Sequence, residues 1–163
     1  MKIIGENINA SNRSVAEAIT RRDSKFLQGL ASAQDAAGAD FIDVNAGLGY
    51  GSTDEEIAAM EWIVEVVQGA TDKPLVIDSD VPGAIEAALG RYRGERLMIN
   101  SVTAEPEKLA AIGSLAAGRQ AYLVALAMGT NGIPSSAEER LAACEQIMMH
   151  LTQLGVAAEQ IFF

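Results

Sequence analysis

The strongest constraint on the fold of this chain is a strict alternation of short apolar runs with longer stretches of helical periodicity. In the stretches between the runs, Ala, Leu, Glu and Ile recur at positions i, i+3 and i+4, the pattern of amphipathic helices. The sequence therefore predicts strands separated by crossover helices. The predicted strands lie at residues 2–8, 41–44, 75–77, 97–99, 121–127 and 161–163.

Residues with capping chemistry predict where several helices begin and end. Ser24 is expected to open a helix that continues through Ala37, and Gly38 to close it. Thr53 and Asp54 immediately precede another helical stretch and are interpreted as its caps. The same rules assign first-turn positions to two prolines and an acidic pair, namely Pro82, Pro106, Glu55 and Glu56.

A β-then-α alternation implies a parallel sheet, either a closed eight-stranded barrel or an open doubly wound sheet. Periodicity alone does not distinguish between these two architectures. Polar residues at the ends of successive strands favour the barrel, because barrel sites are built from several strand ends at one rim. No glycine-rich nucleotide-binding motif occurs. The polar strand-end residues are Glu6, Asn7, Asn9, Asp43, Asn45, Asp78 and Asn100.

Charge and composition narrow the class of partner. The chain of 163 residues carries 12 Lys and Arg against 22 Asp and Glu, a net charge of −10. This balance argues against nucleic acid, which binds to basic surfaces. No apolar run is long enough for a membrane span, so we expect a cytoplasmic protein without a membrane partner. A single cysteine, Cys144, and a single histidine, His150, exclude a disulfide framework and a Cys/His metal cluster.

Asp78 and Asn100 are the candidates best suited to bind a flat heteroaromatic ring with an amide-like edge. A carboxylate can accept two N–H donors from an aminopyrimidine, and a carboxamide offers both a donor and an acceptor. Each directly follows an apolar triad, at 75–77 and 97–99, so each is expected to leave a buried strand with little freedom.

Structural roles are the alternative for each candidate. An Asp or Asn after a strand often serves as a helix cap or turn former, although several such endings together favour a site. Met128, after the fifth strand, fits either core filler or a wall of the site. Cys144 and His150 are interpreted as helix-face residues without a catalytic role.

Five segments resemble one enzyme family, in order along the chain. Ile4-Gly5-Glu6-Asn7-Ile8-Asn9 is similar to the Gly-Glu-Arg-Ile-Asn opening of methyltetrahydrofolate:corrinoid protein methyltransferases and of the folate domain of cobalamin-dependent methionine synthase. The departure is Asn7, which stands where many relatives have Arg. The other similar segments are residues 38–45, 74–84, 99–102 and 127–140, the last resembling the family's Met-x-x-x-Gly-Ile-Pro loop.

The resemblance implies a TIM-type (β/α)₈ barrel that binds a pterin inside its C-terminal mouth. It assigns a catalytic and pterin-holding role to Asp78 and Asn100. It also adds neighbouring pterin-binding positions, namely Glu6, Asn9, Asp43, Asn45 and Met128.

The activity that the resemblance implies is transfer of a methyl group between 5-methyltetrahydrofolate and the cobalt of a corrinoid protein. The folate is then the substrate, the corrinoid is carried by a partner protein, and the domain itself holds no metal. We expect a homodimer. Two alternatives remain, a dihydropteroate synthase-like pterin enzyme and a non-catalytic folate-binding module.

The chain is expected to be one pterin-binding domain, residues 1–163, that is incomplete at its C-terminus. About six strand-helix units are present, and a complete barrel has eight. The last residues, 161–163, are apolar and belong to the sixth predicted strand. We therefore expect the fragment alone to be inactive, with its exposed sheet edge covered by a second copy or prone to aggregation.

Overall fold

The structure of the protein, a computed structural model, describes residues 1–47, 52–130 and 132–163. The chain forms two compact units, Met1–Leu97 and Met98–Phe163. Within the described residues, no helix combines the length and the apolar character that crossing a membrane would need.

The first unit contains three strands that pair in parallel, β1 with β2 and β2 with β3. Four helices connect or follow them, and α1 and α2 both lie between β1 and β2. The elements in chain order are β1 (Ile4–Asn9), α1 (Arg13–Arg21), α2 (Ser24–Ala36), β2 (Phe41–Asn45), α3 (Thr53–Val67), β3 (Leu75–Asp78) and α4 (Pro82–Arg91).

The second unit also contains three parallel strands, with β5 paired to both β4 and β6. Its elements are β4 (Met98–Val102), α5 (Pro106–Arg119), β5 (Tyr122–Ala125), α6 (Ala137–Gln153), a 3₁₀ turn (Ala158–Gln160) and β6 (Ile161–Phe162). All six predicted strands are therefore present, with end positions that differ by a few residues.

Aliphatic side chains form the core of each unit. Ile8, Ile42 and Ile77 on the three strands of the first unit are fully buried, as are Ile99 and Leu123 in the second. Branched aliphatic residues fit the pleated, two-sided burial of a parallel strand, which explains why the apolar runs predicted the strands.

The helix caps differ in part from prediction. Asp23, not Ser24, caps α2, and its side chain accepts a hydrogen bond from the Phe26 N–H. Thr53 and Asp54 are the first residues of α3 rather than its caps. The cap is Ser52, which forms a capping box with Glu55. The prediction failed because several adjacent residues could each cap, and only the backbone geometry decides which one does.

Other terminal features agree with the sequence. Pro82 and Pro106 occupy the first turns of α4 and α5, and Glu55 and Glu56 lie in the first turn of α3. Gly38 follows α2 with a φ of 91°, a conformation in which glycine avoids the strain of a side chain.

Candidate functional site

The three strands of the first unit end at the same register with a polar residue each. Asn9 pairs with Asn45, and Asn45 pairs with Asp78. Paired residues on parallel strands direct their side chains to the same face, about 4.8 Å apart from strand to strand. The fold therefore places these three residues in one row at the carboxyl end of the sheet.

Asn45 fixes the carboxylate of Asp78. Its Nδ2 donates to Asp78 Oδ2 at 2.9 Å, and its Oδ1 accepts from the Gly47 N–H at 2.9 Å. Because both ends of the carboxamide are engaged, its orientation is set before any ligand arrives. The Asp78 Oδ1 atom takes no part in this bond.

The electrostatic surroundings of Asp78 favour its neutral form. Burial raises the pKa of Asp78 above its ordinary value, and the hydrogen bond from Asn45 opposes the rise. The negative charges of Glu6 and Asp80 raise the pKa of Asp78 further. A ligand that offers N–H donors to this carboxylate would stabilise its charged form and lower its pKa again.

Asp43 lies one layer below the row. It is two residues before Asn45 on β2, hence on the same face, and it pairs with Val76. Its side chain is only 1% exposed. A carboxylate buried this deeply is uncommon. Asp43 and Asp78 thus lie on the same face of the sheet, separated by one residue pair along the strands.

Glu6 and Asn9 extend the arrangement along β1. The negative charge of Glu6 is one of the causes that raise the pKa of Asp78. Asn9 Oδ1 accepts from the Ser11 N–H at 2.9 Å and so shapes the turn into α1. Asn9 therefore has a turn-forming role in addition to its place in the row.

Helix capping does not account for the strand-end residues. The N-caps of α3, α4 and α5 are Ser52, Val81 and Glu105. None of Asn45, Asp78 and Asn100 holds such a position, so the alternative that these residues are helix caps is wrong.

The sequence analysis did not predict a hydrogen-bonded pair of side chains, Ser79 and Glu56, next to Asp78. Ser79 is 4% exposed, and its Oγ donates to Glu56 Oε1 at 2.7 Å and accepts from the Val81 N–H at 3.0 Å. This pair holds the turn from β3 to α4 against α3. The polar Ser79 directly after Asp78 was the available signal, but its partner lies 23 residues earlier in the chain.

In the second unit, Asn100 lies inside β4 and not directly after it. The strand continues to Val102, and Asn100 pairs with Val124 of β5. The register shifts between Asn100 and Val102, so β4 carries one more residue than β5 there. Asn100 is half-buried. The prediction that it follows the strand was wrong because the polar residues Asn100 and Ser101 interrupt the apolar run without ending the strand.

Met128 lies in the loop after β5 and is half-buried. Its N–H donates to the Leu126 carbonyl at 2.7 Å, and its carbonyl accepts from the Ala104 N–H at 2.8 Å. The main chain of this loop is thus tied to the segment after β4. The next residues form a tight antiparallel bridge between Gly129 and Gly132, the latter at a φ of 87°.

A cavity of about 660 Å³ adjoins that loop within the second unit. Its described lining includes Ala104, Pro134, Ala143 and Gln146. Glu139 also lines it and accepts hydrogen bonds from the Ser135 N–H and hydroxyl, which lower the pKa of Glu139. Within residues 1–47, 52–130 and 132–163, no group of three or more His, Cys, Asp or Glu is arranged to hold a metal.

Comparison with known proteins identifies the family to which the chain belongs. Residues 5–163 match the model of the family described as "Pterin binding enzyme". Because the match covers nearly the whole chain, the chain belongs to the pterin-binding enzyme family.

A curated relative is the methylcorrinoid:tetrahydrofolate methyltransferase of Eubacterium limosum, which is 34% identical over 143 residues. The match covers 86% of this chain and 51% of the relative. The chain thus spans about half the length of this relative. The predicted resemblance to corrinoid-linked methyltransferases is confirmed at this level of similarity.

Solved structures with the same fold include dihydropteroate synthases. The enzyme from Xanthomonas albilineans, in complex with indole-2-carboxylic acid and 6-chloroguanine, matches with a TM-score of 0.72 at 20% identity, covering 98% of this chain and 57% of its own. The enzyme from Vibrio fischeri matches with a TM-score of 0.66 at 17% identity, covering 99% and 59%. These likenesses to TIM-type barrel enzymes confirm the predicted fold class.

Proposed function

We propose that the protein containing this chain transfers a methyl group between 5-methyltetrahydrofolate and the cobalt of a corrinoid carried by a partner protein. The observation that supports the site is the row of Asn9, Asn45 and Asp78 in register at the end of three parallel strands. The choice of reaction rests on the 34% identity to a methylcorrinoid:tetrahydrofolate methyltransferase.

Asp78 is the proposed anchor of the pterin ring. Its carboxylate would accept N–H donors from the aminopyrimidine edge, and Asn45 would hold it in place for that contact. The raised pKa of the free Asp78 carboxyl fits this role, because N–H donors of the ligand would stabilise the charged carboxylate that burial disfavours.

Further ligand contacts are proposed for five more residues. Asn100 is proposed as the second catalytic and ring-holding residue, since a carboxamide can both donate and accept at an amide-like edge. Met128 is proposed to cover one face of the ring. Glu6, Asn9 and Asp43 complete the set of proposed binding residues.

The chemistry to be catalysed is exchange of a methyl group and a proton at N5 of the folate. When the carbon–nitrogen bond breaks, its electron pair stays on N5, which must gain a proton, while the methyl carbon bonds to cobalt through an electron pair of the metal. In the reverse direction, the N5 lone pair attacks the methyl carbon, the cobalt keeps the bonding pair and N5 loses its proton. Fixed donors and acceptors around the ring would accelerate both directions by positioning and electrostatic stabilisation.

The test uses the full-length protein with tetrahydrofolate and methylcobalamin as a substitute for the methylated corrinoid protein. We expect loss of the methylcobalamin absorbance together with formation of methyltetrahydrofolate, measured by mass spectrometry. Condensation of a dihydropterin pyrophosphate with aminobenzoate would instead identify a dihydropteroate synthase. Folate binding with neither reaction would indicate a binding module.

The corrinoid protein and a second copy of the chain are the proposed partners. A corrinoid cannot react with the folate unless its cobalt reaches the methyl group, so the partner must dock at the open end of the site. Co-purification with the corrinoid protein and the mass of the full-length protein in solution test these two partners separately.

A further inference from the structure

Between two pairs of residues that are aligned across the sheet, β1 has one more residue than β2. Gly5 pairs with Ile42, and Ile8 pairs with Val44, so the two residues between them oppose the single residue Asp43. An extra residue of this kind is a β-bulge, which changes the direction of the side chains around it.

The bulge sets two consecutive residues of β1 opposite one residue of β2. Gly5 and Ile8 share the face of their partners on β2, where Ile8 is fully buried. Consecutive side chains lie on opposite faces of a regular strand. At the bulge this alternation is broken, Glu6 and Asn7 together oppose Asp43, and both are exposed.

Gln34 on α2 holds the bulge. Its side chain is only 6% exposed, its Oε1 accepts from the Asn7 N–H at 2.9 Å, and its Nε2 donates to the Leu30 carbonyl at 3.3 Å. A bulged residue leaves the regular ladder of the sheet, and a buried N–H without an acceptor would be destabilising. Gln34 supplies that acceptor.

Gly5 makes room for this contact. A Cβ at position 5 would lie 2.6 Å from Gln34 Oε1 and 2.9 Å from Gln34 Cδ, closer than real Cβ contacts allow. The glycine and the buried glutamine therefore act together, and both serve the conformation at Asn7.

We infer that Asn7 is a further ligand-contacting residue and that Gln34 is the positioning residue that presents it beside Glu6, opposite Asp43. The inference rests on the proposed function for the identity of the ligand, a reduced folate. The Asn7 carboxamide would add one donor and one acceptor to a site whose other members on β1 to β3 are mostly carboxylates.

The first test is calorimetric titration of tetrahydrofolate into the full-length protein with Asn7→Ala. We expect the Kd to rise about three- to tenfold, the effect of one or two lost neutral hydrogen bonds, while the melting temperature stays unchanged because Asn7 is exposed. An unchanged Kd would overturn the role of Asn7.

The second test separates positioning from packing at Gln34. Gln34→Glu keeps an oxygen that can accept from the Asn7 N–H, whereas Gln34→Met keeps the length of the side chain without that acceptor. We expect Gln34→Met to raise the Kd for tetrahydrofolate about as much as Asn7→Ala, and Gln34→Glu to restore it. Equal Kd values for both variants and the wild type would overturn the positioning role.

A matched control is available in the same unit. Gln68 also makes two side-chain bonds to the backbone, donating to the Arg91 carbonyl and accepting from the Arg93 N–H, both at 3.0 Å. Gln68→Met should lower the melting temperature without changing the Kd for tetrahydrofolate. If Gln68→Met raised the Kd as much as Gln34→Met, loss of stability would explain both results and the inference would fail.

Failure of the proposed function gives a different result. If the wild-type protein does not bind tetrahydrofolate, or if Asp78→Ala leaves the Kd unchanged, the proposed folate site itself is wrong. If Asp78→Ala weakens binding and the Asn7 and Gln34 variants do not, only the inference about the bulge is wrong.

Discussion

The carboxyl ends of the strands are built differently in the two units. In the first unit, β1, β2 and β3 stop in register, and Asn45 hydrogen-bonds to Asp78. In the second unit, Asn100 lies inside β4 at a register shift, and the loop after β5 turns through Gly129 and Gly132. The first unit thus ends its strands with a row of one carboxylate and two carboxamides, whereas the second carries a half-buried amide inside a strand and a glycine-containing loop.

This difference predicts unequal roles in ligand binding. A carboxylate forms charge-assisted hydrogen bonds, which contribute more to affinity than the hydrogen bonds of a neutral carboxamide. Substitution of Asp78 in the first unit should therefore change folate affinity strongly, and substitution of Asn100 in the second unit should change it less. Both are tested in the full-length protein.

The largest effect is expected for Asp78→Ala. Loss of charge-assisted hydrogen bonds to the aminopyrimidine edge should weaken folate binding by about 1.5–3 kcal/mol. Asp35→Ala is the control, because Asp35 accepts from the Thr71 hydroxyl and pairs with Lys73. It should lower the melting temperature without changing affinity. Unchanged folate affinity in Asp78→Ala, measured by calorimetry, would contradict the assignment.

Asn100→Ala should have a smaller effect, about 1 kcal/mol on folate binding, since it removes one neutral amide partner. The ligand should be affected more than the fold. The measurement is the same calorimetric titration, combined with thermal unfolding. A loss of affinity as large as that of Asp78→Ala would show that the charge of Asp78 contributes no more than a neutral amide.

The pKa of Asp78 predicts a pH-dependent change in stability. Because the folded-state pKa is raised, neutral Asp78 favours the folded state below its ordinary pKa of 3.8, and this contribution is lost as pH rises through the raised value. Asp78→Asn removes the charge. The difference in melting temperature, Asp78→Asn minus wild type, should therefore increase as the pH rises from 3.8 through the raised pKa of Asp78. A constant difference from pH 3 to pH 8 would contradict the direction of the pKa shift.

The smallest effect is expected for Cys144→Ser. Cys144 is a half-buried residue of α6, and no proposed step uses a thiol. Methyl transfer should stay essentially intact in the assay with methylcobalamin. Loss of activity with an unchanged melting temperature would show that thiol chemistry had been overlooked.

The sequence predicted the strands well because aliphatic runs report burial directly. The run 41–44 became β2 with one added residue, Asn45. β1 begins at Ile4 and not at Lys2, because the Ile3 N–H donates to the Asp40 side chain at 2.8 Å and not to a strand. The helix α1 was not predicted as a separate element; it is short, with nine residues, of which Val15, Ala18 and Ile19 are buried.

The candidate site was predictable as a set of residues but not as a geometry. Asp and Asn after apolar runs identified the row, since the ends of parallel strands share one edge. The bulge at Glu6 and Asn7 could not be predicted, because it depends on the contact between Gly5 and Gln34. The bond between Ser79 and Glu56 likewise joins distant positions of the chain. Such contacts arise only from tertiary packing, which periodicity does not encode.

The most direct test of the central claim is a double-mutant cycle on folate affinity with Asn45→Ala, Asp78→Ala and the double variant. Asn45 is proposed to act through Asp78, so the two losses in binding free energy should not add, and the double variant should bind about as weakly as Asp78→Ala alone. Additive losses would show that the two residues contact the ligand independently. No loss in any variant would contradict a pterin site at this row.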